Sequence, residues 1–515
     1  MGKLTTGFKF FLILLLVGGV TAGLYFGKPE LFQKKEGVKE TKSSKESTKP
    51  AKKSKGTKPD LTLGINTWSG FAPIVWLNGG LDPNESSELY QKYGIKLQIK
   101  INDVFDDSRN NFKTGNYDLV YCTADVLPIE MGLGSGMVEV ETKLFMQVDW
   151  SRGGDAIVVR KGINTVEDLK GKSISVALGT ASHSLLIKVL ETNGLTMDDV
   201  NVKLVSDGIE SAKVFKAQEV DAAVVWSPDD LDCVDAVAGS KVLINTKVAT
   251  HIIADGILVK NEFLDENFNL LVKFATAWFD ANGRINKNDA LAKEASNAFA
   301  EAFNVPFDFA YNGIKNVRLT TLGDNKDFFE LNPNYEGITG DQLYTKMSQT
   351  YSKLNLTKNP LPWRSVSSTN VIESIELSAN QESEGNIQFS TVTEEVKKKV
   401  AISNKQVTIN FPTNSSTLTD DAKGTIDREF VNIAKTFSSA RIRIEGNTDA
   451  VGNAAYNKTL SFKRAQAVAD YLASEYGFDS DRFIVIGNGM TKAVSAGETG
   501  ANEFYRRTDF QLVEE

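Results

Sequence analysis

The sequence predicts an α/β protein that carries a smaller α+β module at its C-terminus and one apolar span at its N-terminus. From Leu61 onward, short β-branched runs alternate with helical patterns, the rhythm of a layered α/β domain. Beyond residue 395 the order becomes strand, helix, strand, helix, strand, strand. At the start, Phe10 to Phe26 (FFLILLLVGGVTAGLYF) holds no charge over 17 residues, the lower edge of what crosses a bilayer as a helix.

The apolar run follows Lys3 and Lys9, and residues 1–27 read as an N-terminal transmembrane helix. A cleaved signal peptide is the alternative, because Val20-Thr21-Ala22 has the small residues of a cleavage site. The uncleaved anchor is favoured because the run continues through Leu24-Tyr25-Phe26. Neither Cys122 nor Cys233 lies near it, which removes lipid attachment at that point.

Residues 28–60 form a lysine-rich tether. Eleven lysines stand against five acids over 27–60, almost without apolar residues, so this stretch stays solvated rather than folding. It spans about 30 Å as a coil and about 110 Å when stretched. More lysines follow the apolar run than precede it, which alone would place them in the cytoplasm; the C-terminal module overrides that reading.

Over residues 61–380, LTLGIN (61–66), IKLQIKI (95–101), YDLVYC (117–122), AIVVR (156–160), SISVAL (173–178), NVKLV (201–205), DAAVVW (221–226) and GILVK (256–260) read as strands. In such sheets, ligands sit beyond the carboxyl ends of strands. Pro360, Pro362 and the polar run ELSANQESEGN lead into a connector at 381–395. Over 396–515, QVTINFPTNSSTL reads as a strand and turn, DAKGTIDREFVNIAKTF as a helix, RIRIEG as a strand, NKTLSFKRAQAVADYL as a helix, and FIVIGNG and RRTDFQLVEE as strands.

Composition narrows the chemistry. The chain carries a formal charge of −8, and the tether concentrates positive charge, so the remainder is more acidic still; nucleic acid requires a basic face. With two Cys and two His in 515 residues, no Cys-based zinc site or His cluster can be assembled. No phosphate-binding glycine loop and no nucleophile elbow are present. Neither an enzyme nor a cofactor is expected. A motor stator shares the layout of one span before such a module, but it needs a carboxylate within the span, and Phe10 to Phe26 has none.

The runs WSGFAPIVWLNGGL, FKTGNYDLVYCTAD, GINTVEDLKGKSISVALGTASHSLLIKVLETNGLTMDDVNV and EVDAAVVWSPD, in that order, resemble the type 2 periplasmic solute-binding proteins, with the nitrate, sulfonate and taurine group nearest. The resemblance implies two α/β lobes joined by crossing strands, closing by hinge motion on a small ligand. Leu178-Gly179-Thr180-Ala181-Ser182-His183 follows a strand and opens a helix, an arrangement that suits an anion. Ser69, Gly70, Thr123 and Asp125 would line one lobe beside Trp68. Gly179, Thr180, Ser182, His183 and Trp226 would line the other, with Arg152 near the hinge. Plainer roles stand beside these: Thr180 and Ser182 as helix caps, Trp68 and Trp226 as core, and Arg152 paired with Asp149 or Asp155. Asp125, Asp229 and Asp230 also leave a zwitterion or a cationic ring open, although an anionic solute is the expectation.

In the last module, Phe411 with Thr413-Asn414, Gly446-Asn447-Thr448-Asp449 with Gly452, Asn457-Lys458-Thr459-Leu460-Ser461 to Arg464-Ala465, Gly487-Asn488-Gly489 and Arg506-Arg507 resemble the OmpA C-terminal domain family, which binds peptidoglycan. The resemblance implies that Asp449 and Arg464 clasp the diaminopimelate residue of the stem peptide, while Thr448, Asn414 and Asn457 hold its backbone and carboxylate. Such a centre bears an ammonium and a carboxylate, matching an acid and a planar, forked base. Asn457, Ser461 and Arg464 share one helical face. Asn447, Pro412 and Tyr505 depart from the family pattern and put stem-peptide selectivity in question. The plain alternative is a structural ion pair between Asp449 and Arg464, a weak source of stability.

Together these features predict a membrane-tethered, peptidoglycan-anchored solute-binding protein outside the cytoplasmic membrane, serving ABC import or sensing, with an ABC permease as a candidate partner. A wall-anchored interaction or envelope-stress module is the alternative.

Overall fold

The computed structural model describes residues 58–515 except Asn386 and Thr413. The N-terminal anchor at 1–27, nearly all of the tether and Thr413 therefore lie outside the described residues. No helix among those described is long and apolar enough to cross a membrane.

The strands are β1 (Leu61–Ile65), β2 (Leu97–Ile101), β3 (Leu119–Thr123), β4 (Thr142–Ser151), β5 (Asp155–Val159), β6 (Ser173–Ala177), β7 (Asn201–Val205), β8 (Ala222–Trp226), β9 (Lys241–Asn245), β10 (Ala254–Lys260) and β11 (Val317–Leu319), then β12 (Ala401–Val407), β13 (Arg441–Asn447), β14 (Phe483–Gly489) and β15 (Thr508–Val513). They build three sheets, ordered β11-β4-β10-β3-β1-β2, β7-β6-β8-β5-β9 and β12-β15-β13-β14.

The first two sheets define two lobes. In the first, β1 runs parallel to β2 and β3, and β10 lies antiparallel to β3 and β4. In the second, β6 runs parallel to β7 and β8, and β5 lies antiparallel to β8 and β9. The chain leaves the first lobe between β4 and β5 and returns between β9 and β10. Two close-set crossings leave a hinge and a cleft where the lobes face one another.

The central strands are buried end to end, LVYCT at β3 and DAIVV at β5, because helices cover both sheet faces and remove the need for alternation. Leu63, Phe71, Met146, Ile257 and Trp278 pack the first core, and Ile157, Val176, Leu186 and Val224 the second. Cys122 and Cys233 are free thiols buried in different lobes.

Three strands escaped the sequence reading. In TKLFMQVDWS, the buried Gln147 and Asp149 interrupt the apolar run of β4. Strand β9 is only half-buried, and β11 is three residues long. The strand expected at QVTINF begins earlier, because β12 pairs with β15 from Ala401↔Val513 to Val407↔Thr508.

In the last sheet β13 and β14 are parallel, while β15 lies antiparallel to β12 and β13. The helix Ala454–Tyr476 packs on β13 and β14. Gly446 and Gly487 allow that approach: a Cβ on either would collide with the helix backbone, at Ser461 and at Phe462 respectively. The module rests on the second lobe, where His251 N donates to Thr436 O at 3.1 Å and the Thr250 and Ser438 hydroxyls meet at 2.7 Å.

Candidate functional site

The interlobe cleft holds a cavity of about 400 Å³, within the ordinary range for small-molecule sites. Beneath it runs a transverse row across three neighbouring strands, in which Thr123 and Asp255 line the cavity and Asp149 lies buried behind them. Asp255 on β10 stands opposite Thr123 on β3 and opposite Asp149 on β4. Gly70 makes room for this row, because a Cβ there would collide with the Asp149 carboxylate.

Aromatic walls rise from both lobes. Trp68 donates its Nε1 to Asp149 Oδ2 at 3.2 Å and lies against Gly154 in the hinge. Phe105 and Tyr121 meet edge to face at 5.5 Å. Across the cleft, Trp226 covers Gly208, where a Cβ would stand 2.8 Å from the ring. Phe309 also lines the cavity.

Of the expected ligand residues, Ser69, Thr123, Thr180 and Trp226 line the cavity. Gly70 sits behind it beneath Asp149. Thr180 does not cap the helix Ala181–Thr192 through its side chain; its hydroxyl donates to Ala177 O at 2.8 Å. Gly179 forms the left-handed turn before that helix, at φ +69°. Ser182 and His183 face inward and are buried. His183 Nδ1 accepts from Gly179 N at 3.4 Å, and burial pushes its pKa down to about 4. Asp125 is wholly buried, and burial raises its pKa to about 7.

Arg152 departs from expectation. It pairs with Glu384 at 2.7 Å, donates to Thr250 O and stands 3.4 Å from His251 Nε2. Neither Asp149 nor Asp155 is its partner, since the chain turns after β4 and carries the guanidinium to the connector side of the second lobe. The carboxylates therefore keep the cleft to themselves: Asp103, Asp155, Asp207, Asp229 and Asp255 line the cavity, and among the described lining residues there is no Lys, Arg or His. This runs against the anionic solute expected from the helix start at Thr180. Asp255 belongs to a strand expected to begin one residue later, and Phe105, Tyr121 and Phe309 were not among the expected site residues.

Burial raises the pKa of Asp155 to about 7. It also pushes Asp255 well above the usual carboxylate range, an effect deepened by neighbouring Asp149.

The second site lies at the edge of the C-terminal sheet. Asp449, just after β13, is 8 % exposed. Its Oδ2 accepts from Arg506 Nη1 at 3.0 Å, and its Oδ1 accepts from Val451 N at 3.4 Å. The direct Asp449–Arg464 pair is thus not formed. Arg464 donates Nε to Ser415 O at 3.0 Å and lies 5.0 Å from the Phe411 ring centre. Burial lowers its pKa, and Tyr456, Arg506 and Asp449 all lie close enough to act on its charge. Arg506 is therefore the member of this cluster that the residue pattern alone did not assign.

Thr448 donates its hydroxyl to Asp449 O at 3.0 Å. Asn457 donates Nδ2 to Val451 O at 2.8 Å, shaping the loop that carries Asp449. Asn414 occupies a left-handed turn at φ +57°. Ser461 is buried, and its Oγ accepts from Gly489 N at 2.8 Å, so it is structural. Asn447, also buried, donates to Asp509 at 3.1 Å within a network that includes Lys492 and Arg507.

The structure thus sets a two-lobed cleft apart from a small sheet with an acid and two guanidinium groups at its edge. Residues 54–300 match the NMT1-like family and residues 410–507 the OmpA family. Over 102 residues the chain is 31 % identical to outer membrane porin F of Pseudomonas aeruginosa, covering 20 % of this chain and 29 % of the porin. Over 87 residues it is 38 % identical to the peptidoglycan-associated lipoprotein of Rhizobium meliloti, covering 17 % of this chain and 48 % of the lipoprotein. The chain thus spans less than half the length of these curated relatives. The periplasmic aliphatic sulphonate binding protein SsuA of Escherichia coli aligns at TM-score 0.45 and 16 % identity, over 60 % of this chain and 97 % of SsuA. The chain joins an NMT1-like periplasmic binding domain to a C-terminal OmpA-family domain.

Proposed function

We propose that the protein is a wall-anchored solute-binding protein of the cell envelope, tethered through its N-terminal segment to the outer face of the cytoplasmic membrane. Its OmpA-family domain holds the diaminopimelate stem peptide of peptidoglycan, with Asp449 facing the ammonium, Arg464 the carboxylate, and Thr448, Asn414 and Asn457 fixing the peptide backbone. Its cleft captures a small molecule for ABC import or sensing.

The observation that carries this reading is the cluster of Asp449, Arg464 and Arg506 at the edge of that domain. Asp449 spends one oxygen on Arg506 and accepts only a long contact at the other, which leaves acceptor capacity for an ammonium. The guanidinium of Arg464, set against Phe411 and Ser415 O, is oriented for a planar anionic partner.

The full chain is expected to sediment with isolated sacculi, and Asp449→Ala and Arg464→Ala should each remove it from the pellet. Undiminished sedimentation of both variants would refute the anchoring role. A second reading, an interaction or envelope-stress module without transport duty, draws support from the close packing of the second lobe on the anchor domain. A flat thermal response to a broad panel of sulfonates, nitrate, phosphonates and amines would select it.

A further inference from the structure

We infer that the interlobe cleft takes an organic cation, a small ammonium compound with an apolar or aromatic body, held by Asp255, with Asp149 buried behind it, beneath the Trp68, Tyr121 and Trp226 rings. This inference rests on the solute-binding reading and specifies its ligand.

The first support is the balance of charge. Five aspartates line the cavity, and no basic side chain stands among the described lining residues. Arg109, behind the Phe105 and Tyr121 wall, is held by Glu130 through contacts of 2.5 and 2.8 Å, so its charge is already met. An anion entering this space would meet carboxyl groups and no basic side chain among the described lining residues, in a region of reduced dielectric where like charges repel strongly.

The second support is unpartnered polarity. Asp255 is 6 % exposed and lines the cavity, and the side chain its carboxyl meets is the neighbouring Asp149 carboxyl. Thr123 Oγ1 and Asp149 Oδ1, its neighbours in the row, are buried without a partner, as is the Tyr121 hydroxyl. Buried polar atoms are nearly always hydrogen-bonded. Several in one row beneath a cavity mark the place where a ligand's donors belong.

The third support is the walls. Trp and Tyr faces attract cations, and ammonium ligands are recognised by such rings above acidic groups. A bare metal ion fits poorly, because among the described residues no group of three His, Cys, Asp or Glu side chains is arranged to hold one. The uncapped start of the helix Ala181–Thr192 can donate to an acceptor atom at the far end of the same ligand, which reconciles that helix with a cationic guest.

The test compares probes of similar shape and opposite charge, benzyltrimethylammonium and benzenesulfonate, by thermal shift and tryptophan fluorescence on the full chain. Saturable stabilisation by the ammonium alone is expected, with at least tenfold weaker binding in Asp255→Asn and in Trp226→Leu. Stabilisation by benzenesulfonate alone overturns the cation assignment and leaves the solute-binding reading standing. Silence of both probes, extended to benzylamine and tetramethylammonium, overturns the assignment, and silence of the broad panel as well removes the solute-binding reading. An unchanged ammonium affinity in both variants also overturns it.

Discussion

Two regions of the molecule treat buried acids in opposite ways. In the C-terminal domain Asp509, 1 % exposed, receives Lys492 at 2.6 Å, Arg507 at 2.9 Å and Asn447 at 3.1 Å. In the cleft, Asp149 and Asp255 lie side by side on adjacent strands with Trp68 as the donor to Asp149. A buried charge that is paired and hydrogen-bonded maintains a structure, whereas one left without a partner costs stability until something arrives. The Asp509 network meets its charge with cations; the Asp149 and Asp255 row meets its own by retaining a proton.

The largest expected effect breaks the paired side of this comparison. Asp509→Ala removes the carboxylate that meets Arg507 and leaves Lys492 with Glu445 alone, and should destabilise the C-terminal domain by about 3 kcal/mol, toward the lower end for breaking a buried pair, because Lys492 is partly exposed. Denaturant unfolding followed by circular dichroism measures it. A loss below about 1 kcal/mol would mean that the network is dispensable.

The next prediction reverses the sign. Burial and the adjacent Asp149 raise the pKa of Asp255, so the folded state retains a proton that the unfolded state has lost. That contribution to stability is fully present below the ordinary carboxylate range and is lost as pH rises toward the folded pKa. Asp125 and Asp155, raised to about 7 by burial, add to the same slope between about pH 4 and pH 7. The Tm of the ligand-free protein should therefore fall across this range. Asp255→Asn should flatten the fall and melt higher than the parent at pH 8. The groups around the row are Trp68, Thr123, Asp125 and Asp155, with the Arg152 charge acting on Asp149 from outside the cleft. Parallel pH profiles for parent and variant would show that the row is not the source of the slope.

These contrasts separate what a sequence discloses from what it conceals. The strands of both lobes were legible where apolar runs were continuous, as in YDLVYC and DAAVVW, because burial on both faces imposes that pattern. Strand β4 was not, since the buried Gln147 and Asp149 interrupt its apolar run. Buried polar residues there override the periodicity from which strands are read. The Gly446, Gly487 and Gly489 pattern was visible, but its physical cause, the close approach of a helix backbone, required the packed structure. Partner choice was the least legible layer. Arg464 and Asp449 are fifteen residues apart in the chain and near one another in space, yet the guanidinium that meets Asp449 comes from Arg506, just before the last strand. The polarity of the cleft depended in the same way on Arg152, whose direction is set by a turn of the backbone rather than by its neighbours in sequence.

Arg152 supplies the smallest predicted effect and the sharpest reading of the cleft. If the guanidinium served the ligand, Arg152→Ala would abolish binding of a charged solute. In the structure it serves Glu384, Thr250 O and the Trp150 face, all on the side where the connector meets the second lobe. The substitution should lower the Tm modestly, by roughly 1 kcal/mol of lost hydrogen bonding, and change the affinity for benzyltrimethylammonium less than about threefold. Removing a positive charge that acts on Asp149 withdraws a repulsion toward a cation but also favours the protonated carboxyl, so the two effects offset. A tenfold loss in Arg152→Ala, with the Tm unchanged, would return Arg152 to the cleft and reopen the case for an anionic solute.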